Sequence, residues 1–220
     1  MNRRQKTSKR LYDLAERQGG YFTTRQARAA GYEDNTHPYH VRSANWIREY
    51  RGVYRLARFP MSSRPDLMLW QLWSHNRGGE PQGTFSHVTA LTLHELSDAM
   101  PARLDMTVPP NFQRMAAIPN VLRLHRGRLG VKDVETVEAV RVTTPLRTLI
   151  DVIRDGSLSQ ELQVQAVAQA IRRGLIIRRQ LEKAKVSVRA RQRINRILKQ
   201  VPTNGDAASI RDSGRTSRRA

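Results

Sequence analysis

Trp46-Ile47-Arg48-Glu49-Tyr50-Arg51-Gly52-Val53-Tyr54-Arg55-Leu56 is the stretch that decides the fold. Aromatic and β-branched residues flank Arg51-Gly52, the pattern of two strands joined by a tight turn. Before this hairpin come three short helical patterns, separated by Gly19-Gly20 and Gly31. Residues 8–58 therefore read as a winged helix-turn-helix. Leu11, Leu14 and Ala15 recur at helical spacing, and Gly19-Gly20 ends that helix. Tyr21-Phe22-Thr23 is a short extended piece, and Thr24 is a suitable N-cap for a helix over 25–30 that Gly31 closes. Asp34 or Asn35 is placed to cap a third helix reaching about residue 45. Pro38 falls in its first turn, where amides have no intrahelical partner. In that helix His37, Val41 and Ala44 share one face, while Tyr39, His40, Arg42 and Ser43 share the other.

The net charge of +20 is unevenly distributed. Residues 1–58 carry 13 Lys/Arg against 5 Asp/Glu, residues 59–171 carry 11 against 11, and residues 172–220 carry 15 against 3. A neutral body between two basic ends suits a polyanion, because each cation laid on a phosphate releases condensed counterions. Of the 39 basic residues 33 are Arg, whose planar fork matches phosphate and guanine edges. A codon bias toward arginine is the bland alternative.

A helix with that outward set, following another in a helix-turn-helix, is suited to a DNA major groove. Arg42 is expected on guanine, and His40 or Ser43 on a base edge or a phosphate. The hairpin tip carries Arg51 to the backbone or into a minor groove. Thr24 and Arg25 at the start of the second helix, with Thr36, Tyr39 and Tyr50, complete the expected contacts. The competing reading is a packing module, as in protein-binding winged helices. The charge favours double-stranded DNA.

The same residues carry a resemblance. Residues 16–23, Glu-Arg-Gln-Gly-Gly-Tyr-Phe-Thr, then Gln26-Ala27-Arg28-Ala29-Ala30-Gly31, Val41-Arg42-Ser43 and the hairpin's second half, 50–56, resemble the N-terminal domain of the AbiEi-type antitoxins of type IV toxin–antitoxin systems. Ser86-His87-Val88-Thr89-Ala90-Leu91-Thr92-Leu93-His94-Glu95-Leu96-Ser97-Asp98, Leu104-Asp105-Met106-Thr107-Val108-Pro109, Leu124-His125-Arg126 and residues 142–151 are similar to that family's second domain. One departure is His37, where the family pattern has an apolar inward residue. Pro38 follows it, and together they move the expected start of the recognition helix later than is usual in the family, which bears on the contact roles of Thr36 and His37. The resemblance implies an antitoxin that represses its own operon through promoter repeats and counteracts a nucleotidyltransferase-like toxin. A stand-alone winged-helix regulator, with a dimerisation or effector domain, is the alternative.

The middle of the chain reads as a larger α+β domain over 64–185. Helices are expected at 65–75, from Ser86 to Leu96, from Pro145 to Arg154, and from a Ser159 cap to Arg173 with Gly174 as its stop. Strands are expected at 104–108, 121–125, 136–139 and 140–143. Residues 186–220 are expected to form a basic extension. It consists of an amphipathic helix over 189–201, with Ile194, Ile197 and Leu198 inward and Arg189, Arg193, Arg196 and Lys199 outward, and then a disordered end from Pro202.

No catalytic, metal or cofactor site is expected. His94-Glu95 begins like a zinc-binding H-E-x-x-H helix, but Asp98 stands where the second His belongs. His87 and His94 are spaced as capping and packing residues. Glu182-Lys183-Ala184-Lys185 lacks the spacing of a nuclease E-x-K, and there is no phosphate-binding glycine run. The chain has no Cys, so no disulfide framework or thiolate site. Aromatic residues make up only 6%, too sparse for an RNA-stacking surface. No apolar run approaches membrane-spanning length, and a cytoplasmic, soluble protein without membrane contact is expected.

Overall fold

The computed structural model describes residues 3–60, 64–98, 102–156 and 158–202. The fold is α+β, with a winged helix-turn-helix followed by a larger mixed unit. Helix α1 (Arg3–Glu16) buries Leu11 and Ala15, and the chain reverses through Gly19 and Gly20. Gly20 is required there: its φ is +88°, and a Cβ would lie 2.7 Å from the Phe59 ring. Strand β1 (Tyr21–Thr23) leads into α2 (Thr24–Ala30), which Gly31 ends in the left-handed region at φ 110°. The N-cap of α2 is Thr23 rather than Thr24. The Thr23 hydroxyl accepts from the Gln26 amide and the Gln26 side chain accepts from the Thr23 amide at 2.8 Å, a reciprocal capping box.

A 3-10 turn, Asp34–Thr36, precedes α3 (His37–Arg42). Neither Asp34 nor Asn35 caps this helix, because the Asp34 carboxylate is held by Arg28 at 2.5 and 3.2 Å. The helix is shorter than the sequence pattern implied. Ala44 has left the helical region, at φ 53°, and is exposed rather than inward. Strands β2 (Trp46–Tyr50) and β3 (Val53–Leu56) form the wing, in a three-stranded antiparallel sheet of order β1-β3-β2. Phe22, Ala27, Trp46 and Tyr54 fill the core beneath it.

The larger unit begins with α4 (Pro65–Trp73) and a loop, then β4 (Thr84–Phe85), α5 (His87–Leu93), β5 (Leu104–Val108), β6 (Leu122–Arg126), β7 (Val134–Val137) and β8 (Val140–Thr143). Helices α6 (Pro145–Asp155), α7 (Gln160–Arg172), α8 (Arg178–Glu182) and α9 (Val188–Gln200) complete it. The sheet order is β6-β5-β4-β8-β7, with β4–β8 and β5–β6 parallel and the other pairs antiparallel. The sequence reading missed β4, which holds the central position with only two residues. Helix α5 stops at Leu93, short of the expected Leu96, and Glu95 turns left-handed at φ 55°.

Two cores fill the larger unit, one against the sheet and one among the helices. In the first, α4 contributes Leu67, Trp70, Leu72 and Trp73 against Phe85, Met106 and Val142, and Tyr21 and Val53 of the winged unit enter the same cluster. In the second, α5 to α9 pack around Leu91, Leu149, Ile153, Val167 and Leu181. Helix α9 belongs to this second core: Ala190, Ile194, Ile197, Leu198 and Val201 are all at most 5% exposed. The boundary expected at 185 thus falls inside a packed layer, and the helix is not an appendage. The remainder of the expected tail, 203–220, lies outside the described residues.

Arginines tie this layer together. Arg193, expected to face outward, turns back to donate to the Ile153 and Arg154 carbonyls at the end of α6, both at 3.0 Å. Arg191 donates to the Leu181 and Ala184 carbonyls, Arg178 to Leu198 and Arg173 to His94. Each supplies charged donors to carbonyls that a helix end leaves without intrahelical partners.

Candidate nucleic-acid interface

Helix α3 sorts its residues sharply between core and solvent. Tyr39 is 58% exposed, and Arg42 and Ser43 are exposed beside it. His37 points the other way, at 4% exposure, with its ring edge-on to Trp46 and Tyr54 at 5.2 and 5.7 Å. Its Nε2 makes no hydrogen bond and lies 4.0 Å from Asp34 Oδ1. Burial outweighs the pull of Asp34 and lowers the His37 pKa, so the ring is neutral at neutral pH. A neutral imidazole can occupy this apolar position.

His40 departs from the expected outward set. Its ring stacks on Trp46 at 4.5 Å and 20°, and Tyr32 meets it edge-on at 5.0 Å. The residue is half-buried, and burial lowers its pKa too. Thr36 closes the 3-10 turn by donating to the Glu33 carbonyl at 2.6 Å. The exposed polar face of α3 and its end therefore comprises Tyr39, Arg42 and Ser43.

The start of α2 is fastened to the wing. The Thr24 amide donates to the Gly52 carbonyl at 3.0 Å, and the turn requires Gly52 at φ 76°. Arg51 stands exposed at the hairpin tip. Arg25 is also exposed, and its guanidinium donates to the Arg77 carbonyl and lies against Gly79, where a Cβ would meet its Cζ at 3.3 Å. The 75–81 loop of the larger unit thus sits beside the wing and the start of α2. Tyr50 does not face outward: it is half-buried, with its ring edge-on to Trp70 at 5.3 Å. Sequence reasoning also missed Arg48, which is exposed on β2 where the strand register shifts before Tyr50. Simple alternation from buried Trp46 would turn it inward, yet it lies exposed one residue before the register shift.

His87, His94 and His125 of the larger unit are held in structural hydrogen bonds and stacks. His94 Nε2 is 2.7 Å from the Thr143 carbonyl, and its Nδ1 is 3.6 Å from Glu135. His87 opens α5 in the left-handed region at φ 50° and stacks on His125 at 3.6 Å. The Ser86 hydroxyl is 2.9 Å from its Nδ1, and burial pushes its pKa down to about 4. His125 and Arg123 both bind the fully buried Asp105 carboxylate, at 2.8 and 2.6 Å. Burial alone would raise the Asp105 pKa, but these bonds overcome it and hold the group lowered. Among the described residues no three His, Cys, Asp or Glu side chains are grouped to hold a metal ion. No helix among them is long and apolar enough to cross a membrane.

Residues 9–57 match the family described as transcriptional regulator, AbiEi antitoxin. No curated protein matches the sequence. A solved structure, that of the RV2827C protein from Mycobacterium tuberculosis, shares the fold with a TM-score of 0.58. The likeness spans 93% of this chain and 80% of that one, at 14% sequence identity.

Proposed function

We propose, from the match of residues 9–57 to the AbiEi antitoxin transcriptional regulators, that this protein represses its own operon by binding promoter repeats and counteracts a nucleotidyltransferase-like toxin. The observation that carries the DNA half is the outward set of α3. Tyr39, Arg42 and Ser43 project from a six-residue helix whose opposite face is pinned to Trp46, and Arg51 stands on the wing tip. Arg42 reads guanine, and Arg51 and Arg48 hold the backbone. Thr24 and Arg25 position the wing and the neighbouring loop, with Tyr50 and His40 as packing supports.

The toxin half rests on the family likeness. The larger unit, from Pro65 through α9, is its proposed seat.

The test titrates the promoter fragment against random duplex. Arg42→Ala is expected to lose about 1–3 kcal/mol on the promoter and less on random DNA. Equal losses on both would reduce Arg42 to a phosphate contact. Coexpression with the adjacent toxin gene tests the second half: rescue of growth is expected to survive Arg42→Ala with Arg51→Ala. Rescue that disappears with DNA binding would mean that protection works through repression. A neighbouring gene without a nucleotidyltransferase-like product would leave the stand-alone regulator.

A further inference from the structure

Residues 172–202 contain 11 Lys/Arg and a single acid, Glu182, which is paired with Arg178 at 3.2 Å. Arg173, Arg178, Arg191 and Arg193 are used within the fold, on the carbonyls named above. Arg179, Lys183, Lys185, Arg189, Arg196 and Lys199 are all exposed and, among the described residues, have no acidic partner. Arg189, Arg196 and Lys199 recur at helical spacing on the side of α9 away from Ile194 and Ile197, so core packing fixes their stripe. At one flank, Arg193 and Arg196 border a cleft of about 160 Å³ with Gly156, Gln160 and Gln163, room enough for a phosphate group.

Like charges held this way repel one another and oppose folding, whereas mixed signs would give the same solubility. Counterion release on a polyanion reverses that balance. The segment has no Phe, Tyr or Trp, so it offers no stacking platform for single-stranded bases. A row of cations along one helix face can lie along a row of phosphates. We propose that the outer face of α9, continued by α8 and the segment after it, is a second surface for duplex DNA, separate from the winged helix-turn-helix and contacting only backbone. It goes beyond the reading of the winged unit and does not depend on it.

The test compares the full chain with the variant Arg189→Gln, Arg196→Gln, Lys199→Gln and, separately, with Arg42→Ala. Each is titrated against a random duplex and the promoter fragment over a range of salt. The α9 variant is expected to flatten the slope of log affinity against log salt by about 2 to 3 on both duplexes, while keeping the preference between them. Arg42→Ala is expected to change the preference and to leave the slope within about 1. A second variant, Lys183→Gln with Lys185→Gln, lies off α9 and is expected to flatten the slope by up to about 2, which guards against unfolding of α9 as the cause. Slopes unchanged in both charge variants overturn the proposal, as does a change confined to single-stranded RNA or to acidic proteins. If the slopes flatten while Arg42→Ala leaves the preference intact, the reading of α3 fails and this one stands.

Discussion

The Tyr50 ring meets the Trp70 indole edge-on with centroids 5.3 Å apart, and this contact joins the wing to α4. Tyr21 and Val53 extend it into one core with Leu67, Met68 and Trp73. The winged unit and the sheet are therefore expected to unfold together. Trp70→Ala should destabilise the whole chain by about 3–5 kcal/mol in urea titration. Separate transitions for the two units would contradict a shared core.

Thr23, not Thr24, closes the start of α2, and the two positions can be told apart. Thr23→Ala is expected to cost about 1–2 kcal/mol, because it breaks both halves of the capping box. Thr24→Ala removes only a 3.5 Å hydroxyl contact to the Gly52 carbonyl and should cost about 0.5 kcal/mol or less. Equal losses in thermal or urea unfolding would refute the assignment.

His87 ties stability to pH. Its folded-state pKa of about 4 lies below the usual 6.5, chiefly because it is buried. Between these values the unfolded chain binds the extra proton, so stability is fully present above pH 6.5 and is lost as pH falls toward 4. The loss from this residue reaches about 2 kcal/mol by about pH 5. His87→Asn suits the left-handed φ of 50° and should flatten the decline by that amount. A parallel pH profile for the variant would show that the ring takes up its proton as readily in the folded chain as in the unfolded one.

Helix α9 is part of the core, and cutting it away should be ruinous. A chain ending at residue 185 removes Ile194, Ile197 and Leu198 from against Leu149 and Val167, and is expected to lose its cooperative transition. Ile194→Ala alone should cost about 2–5 kcal/mol. A native-like transition in the truncated chain, followed by calorimetry, would restore the boundary at 185.

The elements that were legible in the sequence have local causes. The wing follows from β-rich flanks around Gly52, α2 from Gly31, α6 from Pro145, and α7 from the Ser159 cap, which accepts from the Leu162 amide. What stayed hidden depends on distant partners. Strand β4 is two residues long and shows no periodicity. Tyr50 and His40 look like surface residues until Trp70 and Trp46 are placed against them. The arginines of α9 disguised a core helix, since nothing local distinguishes Arg193, bound to carbonyls forty residues away in sequence, from Arg196 in solvent. Asp105 drew no attention because its partners, Arg123 and His125, arrive on another strand.

The two-residue strand β4 also bears on the order of assembly. The β7–β8 hairpin joins adjacent segments, and β5–β6 pair in register from Leu104↔Leu122 to Val108↔Arg126, so each half of the sheet has its own ladder. Among the described residues only Thr84–Phe85 bridges them, Phe85 facing Met106 on one side and Val142 on the other. The halves can form first, because their closing loops are shorter than the one from Phe85 to Val142. Joining them is expected to come late, and Phe85 is the keystone that turns two ribbons into one wall.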